Sequence, residues 1–256
     1  MRNRAQPPPT LREGTVLVAL IGLVAALPIV RLAWETGGVA SVQRALVLHG
    51  GDLVRDGGTI LAAALLAGIL AWLVAEREGQ PSRARALFGW WPLCVSGSAL
   101  GVALIALYNR SALDFVYTTR GILVVAAIAR WFPVALFAVE ARLRAVGRGQ
   151  WEAADLSGSP CAARVLRVDL PLAMEGILVG AVAVATLSSG EVACAVLVAS
   201  PGSWPVALSI ASQLHYNVDL DVPAALCLLQ ASVGLAVCAG LSTGAWFVTR
   251  IVRRIV

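Results

Sequence analysis

The feature that most constrains this chain is a series of apolar stretches, each about as long as a bilayer is thick. Crossing about 30 Å of hydrocarbon takes about 20 mostly apolar residues in a helix. Six such stretches are readable, at 15–34, 57–76, 89–108, 121–141, 172–198 and 222–249. Backbone amides in lipid must be paired within the segment or around a closed barrel, and runs this long mean helices. Composition agrees: the 256 residues are 59% hydrophobic and only 14% charged, whereas about a quarter of a soluble domain is charged. The expected fold class is an all-α membrane protein of about six transmembrane helices.

Basic residues in front of the first run raise the alternative of a signal peptide. The run at 15–34 is longer than the usual apolar core of such a peptide, and no small-residue cleavage site follows it cleanly. Pro7-Pro8-Pro9 reads as a stiff lead-in. The expectation is a short tail at 1–14 and a retained first span, with 15–256 forming one membrane domain.

Charge orients the spans. All 20 basic residues are arginines. One set of connections carries Arg2, Arg4 and Arg12, then Arg77, Arg83 and Arg85, then Arg142, Arg144, Arg148, Arg164 and Arg167, then Arg250, Arg253 and Arg254. The other set carries only Arg44, Arg55, Arg110 and Arg120. Positive charge prefers the cytoplasm, so both termini and the connection at 142–171 are expected inside. The arginines sit at the ends of apolar runs and form no single basic face, which argues against nucleic acid as a partner. The expected location is the cytoplasmic (inner) membrane of a bacterium or archaeon, crossed several times.

Cys94, Cys161, Cys194, Cys227 and Cys238 form no CxxC pair, and most lie in or beside apolar runs. They read as small packing residues. His49 and His215 are far apart in sequence and suggest no metal site. Trp34, Trp72, Trp90, Trp91, Trp204 and Trp246 fall near span ends, where indole rings anchor a protein at the interface.

The connection "QWEAADLSGSPCAARVLRVDLPLA" at 150–173 is the longest on the arginine-rich side, and its residues look ordered. Trp151 to Ser157 is made of good helix formers, with Glu152 near the N-terminal end, where the helix dipole favours an anion. Ala153 and Ala154 leave a small face that another helix can approach closely. Gly158 suits a helix C-cap. Ser159-Pro160 can start a second helix, since serine caps and proline fits the first turn. Two short helices joined at a glycine elbow make a rigid platform against the membrane face.

The pattern Glu152-Ala153-Ala154, three residues, Gly158, nine residues, Val168, one residue, Leu170-Pro171 resembles the EAA loop of ABC-transporter permease subunits. The family form is E-A-A-x3-G-x9-I-x-L-P, and Val168 in place of isoleucine is the one departure. The stretch "RWFPVALFAVEARLRAVGRGQWEAADLSG" looks like the family's approach to that loop, and "SSGEVACAVLVASPGSWPVALSIASQLHYN" looks like the segment after it in permeases of the ferric-iron and thiamine type. The resemblance implies a type I ABC importer permease whose elbow docks on a cytoplasmic ABC ATPase dimer. It implies a second permease domain, as a copy or a different subunit, and a periplasmic or extracytoplasmic substrate-binding protein. ATP and Mg would be bound by the ATPase, and no cofactor by this chain; no phosphate-binding loop is present, in keeping with that. The implied cargo is ferric iron or a thiamine-like compound, with polyamine, phosphonate, sulfate and molybdate open.

Two ionisable residues inside apolar runs are candidates for the translocation path. Arg130 lies near the middle of the fourth run and Glu191 interrupts the fifth, which is long enough to tilt or to end before it, and a charge at such depth is functional by default. For Arg130 the alternatives are an ion pair with an acid or a displaced helix end; for Glu191, a residue at the top of its helix. Two rival functions are weaker. An intramembrane enzyme needs a catalytic set within the spans, and the spans contain no histidine. A gradient-driven secondary transporter would usually show inverted repeats or interrupted helices with buried acids, and would leave the 150–173 loop unexplained.

Overall fold

A computed structural model describes residues 11–75, 83–146, 149, 152, 156, 160, 164–200, 202, 204–216 and 219–255. Every regular element among them is helical. In chain order these are α1 (Leu11–Glu35), α2 (Val39–Val74), α3 (Arg83–Cys94), α4 (Gly97–Tyr108), α5 (Asp114–Tyr117) and α6 (Gly121–Ala145). A π-helical turn (Val165–Asp169) then leads into α7 (Leu170–Ser189), followed by α8 (Ala195–Val198), α9 (Val206–Tyr216) and α10 (Asp221–Ile255).

Among the described residues, four stretches are long and apolar enough to cross a membrane: Val39–Val74, Gly121–Ala145, Arg167–Ser189 and Asp221–Phe247. α1 covers the first expected span and begins at Leu11. Two expected boundaries are corrected. The connection before the second span is helical from Val39, so α2 is one helix of 36 residues. No proline interrupts it, and its N-terminal half packs against α9 and α10 through Ala45 and Leu53. The third span is two helices, because α3 ends at Cys94 and Ser96 caps α4 by accepting from the Ala99 amide at 3.2 Å. The fifth span stops at Ser189, ahead of Gly190 and Glu191, the earlier of its two expected ends. The connection at 199–221 contains α9.

The core is built from α2, α6, α7 and α10. Ala64, Ala67 and Ala71 of α2, Ala135 and Val139 of α6, and Ala173, Ala181 and Ala185 of α7 are all buried there. Small side chains let the helix backbones approach closely, which is how helices gain packing energy in lipid, where apolar burial alone gives no preference. The closest approach is α7 on α6. A Cβ at Gly176 would lie 2.7 Å from Arg142 Cβ and 2.9 Å from Val139 Cα, and one at Gly180 would lie 3.0 Å from Ala135 Cα. Gly68 of α2 is pressed similarly against the Ile177 carbonyl oxygen, at 2.9 Å.

Gly176→Val is therefore expected to destabilise the protein by about 1–3 kcal/mol through overpacking against backbone that cannot move aside. Gly58→Ala, where nothing lies within 4 Å, serves as the control and should be neutral or mildly stabilising. Thermal loss of the monodisperse peak in detergent separates the two; equal behaviour of the variants would contradict the α6–α7 contact.

Candidate functional site

Two regions at opposite ends of the bundle carry the chemistry. At one end, α6 stops at Ala145 and the chain returns as α7 at Leu170. Between them Glu152 and Leu156 are helical and exposed, Leu156 to 87%. Ala153, Ala154 and Gly158 lie outside the described residues.

The root of this segment is firm. Val168 sits half-buried in the π-helical turn, and Leu170 opens α7 and packs against the main core. Pro171 occupies the first turn of α7, where its missing N–H costs nothing. Asp169 between them is buried, with Arg164 Nε 3.8 Å from its Oδ1. Nearby, Arg142 of α6 pairs with Glu175 of α7 at 3.1 Å, and Glu140 holds Arg144 at 2.5 Å. The elbow thus hangs from two helices that are locked to each other. Sequence reading missed Asp169 and Glu175, although each stands within a turn of the Leu170-Pro171 signal.

Arg130 and Glu191 occupy the other region, and the structure brings them together. Arg130 Nε lies 2.8 Å from Glu191 Oε2, both side chains being less than one-fifth exposed. The guanidinium also donates from Nη1 to the Val95 carbonyl at 2.9 Å and lies over the Trp131 ring. Glu191 Oε1 accepts from the Cys194 amide at 3.2 Å. A Cβ on Gly97 would come within 2.9 Å of the same oxygen, so the carboxylate sits over the first residue of α4. One arginine therefore ties α6 to both interrupted segments, the break at Val95 and the turn after α7. Of the alternatives for Arg130, an ion pair with an acid is the arrangement present.

Towards the N-terminus of α6 lies a second ion pair that the sequence did not reveal. Asp56, buried within α2, accepts from Arg120 Nη1 at 2.5 Å and from the Val206 amide at 2.6 Å. Arg120 also reaches the Trp204 carbonyl at 3.3 Å. Asp56 thereby joins α2, α6 and the start of α9. Further along, Ser41 and Arg44 of α2 hold Asp221 at the start of α10, at 2.9 and 2.8 Å. His49 meets Gln213 at 3.1 Å. No group of three metal-ligating side chains occurs among the described residues.

Between the two ion pairs is a cavity of about 60 Å³, lined by α2, α6, α7, α8, α9 and α10. Its polar lining comes from Asp56, Thr59, Ser188, Ser189, Glu191 and Gln230, and the rest is mostly alanine with Ile60 and Leu123. Arg130 faces it only through its partner Glu191.

Comparison with known proteins agrees with this architecture. Residues 16–256 match the family described as binding-protein-dependent transport system inner membrane component. The chain is similar to a crystal structure of a bacterial ABC transporter involved in the import of the acidic polysaccharide alginate. The TM-score is 0.61 at 15% identity, covering 95% of this chain and 96% of that one. It is also similar to a bacterial alginate ABC transporter in complex with alginate pentasaccharide-bound periplasmic protein, with TM-score 0.56, 15% identity, and coverage of 91% and 96%. No curated protein matches the chain.

Proposed function

The chain belongs to the family of binding-protein-dependent transport system inner membrane components, and from that premise we propose that it is the subunit that forms the cargo path of an ATP-driven importer and takes its force from a separate ATPase through the 150–171 elbow. Its fold is that of a type I ABC importer permease. The observation that carries the coupling role is the exposure of Glu152 and Leu156 on a connection that returns to the bundle through buried Asp169 and half-buried Leu170. An 87%-exposed leucine beside a carboxylate suits a protein groove. The elbow's connection to α6 and α7 lets a displacement of the groove move both helices as a unit.

In this reading the elbow end faces the cytoplasm, following the arginine distribution, and the Asp56 end faces outward. A binding protein delivers cargo to that outer end, which α9 and the N-terminal halves of α2 and α10 build. The second permease domain is a copy of this chain or a different subunit. Arg130 and Glu191 act at the inner boundary of the cavity as the closed side of the path. The ferric-iron and thiamine expectation finds no support: both carboxylates at the cavity are already held by arginines, so neither is free to take a metal cation. The alginate importers share the fold at 15% identity, which does not extend to cargo.

The test uses the chain co-expressed with its genomic neighbours. Gly158→Trp should leave membrane insertion intact and abolish both uptake and co-purification of the ATPase. The native mass of the unmodified complex should correspond to two permease and two ATPase chains. Normal uptake by Gly158→Trp would refute the coupling role, and a bare monomer would favour a gradient-driven transporter.

A further inference from the structure

The cavity between the two ion pairs contains polar atoms that the protein itself leaves unsatisfied. Gln230 is only 7% exposed. Its Nε2 makes one long contact, 3.5 Å to the Ser189 carbonyl, while its Oε1 and the Ser188 Oγ are buried with no partner. Both residues line the cavity. A buried polar atom without a partner is costly, and native proteins rarely keep one without a ligand or water to meet it. There is room for such a group: a water needs roughly 10–15 Å³ of cavity measured this way, and about 60 Å³ is present.

The electrostatics narrow what fits. Asp56 and Glu191 would make the cavity attractive to a cation if they stood alone. Each instead has its own arginine, Arg120 at 2.5 Å and Arg130 at 2.8 Å, so the two pairs together leave no net charge. A cation or an anion entering here would be stripped of water and offered no counter-charge, which is unfavourable in a low-dielectric site. A neutral group that forms hydrogen bonds meets no such penalty. The free amide end of Gln230 accepts in one orientation and donates in the other, and the Ser188 hydroxyl does both. A ligand hydroxyl, itself both donor and acceptor, satisfies the pair in either case. An ammonium donates only and a carboxylate accepts only.

We infer that this cavity is a binding station for the hydroxyl groups of an uncharged, polyhydroxylated cargo, held by Gln230 and Ser188. The inference rests on the reading of the cavity as part of the cargo path. Both can be tested on the assembled complex with the ATPase. Cys194 lines the same cavity and is buried, which makes it a native reporter. Cys94, Cys161, Cys227 and Cys238 are replaced by alanine, and the rate of Cys194 modification by methyl methanethiosulfonate is followed.

The path reading requires that rate to differ between the nucleotide-free and the ATP-trapped complex; identical rates would refute it. Given a nucleotide-dependent rate, the station requires glycerol, erythritol and xylitol to slow modification severalfold. Ethylammonium and acetate should not. Both Gln230→Leu and Ser188→Ala should weaken the polyol effect, and the serine variant keeps the test sound if the glutamine variant fails to fold. Protection by ethylammonium or acetate in place of the polyols overturns the assignment, as does the absence of protection by any of them.

Discussion

Arg130→Met is expected to lower the stability of the detergent-solubilised protein by roughly 3 kcal/mol, the lower end of the range for stranding one member of a buried ion pair. The lower end applies because both side chains keep some exposure, 18% and 15%. The substitution keeps an unbranched apolar stem, so packing of the stem is largely retained. What is lost is the counter-charge of Glu191 and the donor to the Val95 carbonyl. Both segments that Arg130 ties down are interrupted helices, so the loss should loosen the α3–α4 break and the turn after α7 together.

Thermal unfolding followed by size-exclusion chromatography gives the shift. Glu191→Gln should be milder, since glutamine can still accept from the Cys194 amide. The double variant Arg130→Met/Glu191→Gln should recover part of the loss, because no unpaired charge then remains. A double variant no better than the sum of the singles would show that the pair is not what holds these segments.

Asp56→Leu should cost at least as much. Asp56 serves two donors at once, the Arg120 guanidinium and the Val206 amide. Its removal leaves a partly buried cation and a backbone N–H without their acceptor, at about 3–5 kcal/mol for the first and about 1–3 kcal/mol for the second. Arg120 retains part of its pairing through Asp52 at 3.7 Å and the Trp204 carbonyl, so the sum is an upper bound. The distinguishing readout is local: amide exchange at Val206 and the first turn of α9 should rise by far more than exchange in α7. Asp56→Asn keeps an acceptor and should fall between. Uniform acceleration along the chain would mean that Asp56 stabilises the bundle as a whole and does not anchor α9.

Much of the architecture is legible in the sequence because lipid imposes simple conditions. Long apolar runs must be helices, and the runs around 57–76, 121–141 and 222–249 correspond to α2, α6 and α10. The spacing from Glu152 to Pro171 singled out one connection, and the structure buries Asp169 at its root and exposes Glu152 and Leu156. Boundaries were less legible where the cause is tertiary. Val39 to Asp56 carries two arginines, two aspartates and a histidine and reads as a loop. It is helical because Arg44 finds Asp221, His49 finds Gln213 and Asp56 finds Arg120, each on an element distant in sequence. The third run reads as one span because hydropathy does not register a serine cap.

By itself the sequence determined the membrane class, the helical fold, the arginine bias between the two sets of connections and the connection that carries the Glu152–Pro171 spacing. These follow from the cost of unpaired backbone in lipid and from local residue chemistry, both written along the chain. Only the tertiary structure decided that Arg130 and Glu191 are partners, that Asp56 is a buried anchor, and that Gln230 and Ser188 face a shared cavity. Those facts depend on which helix faces meet, and a one-dimensional pattern of apolar and charged residues does not specify which distant charge neutralises which.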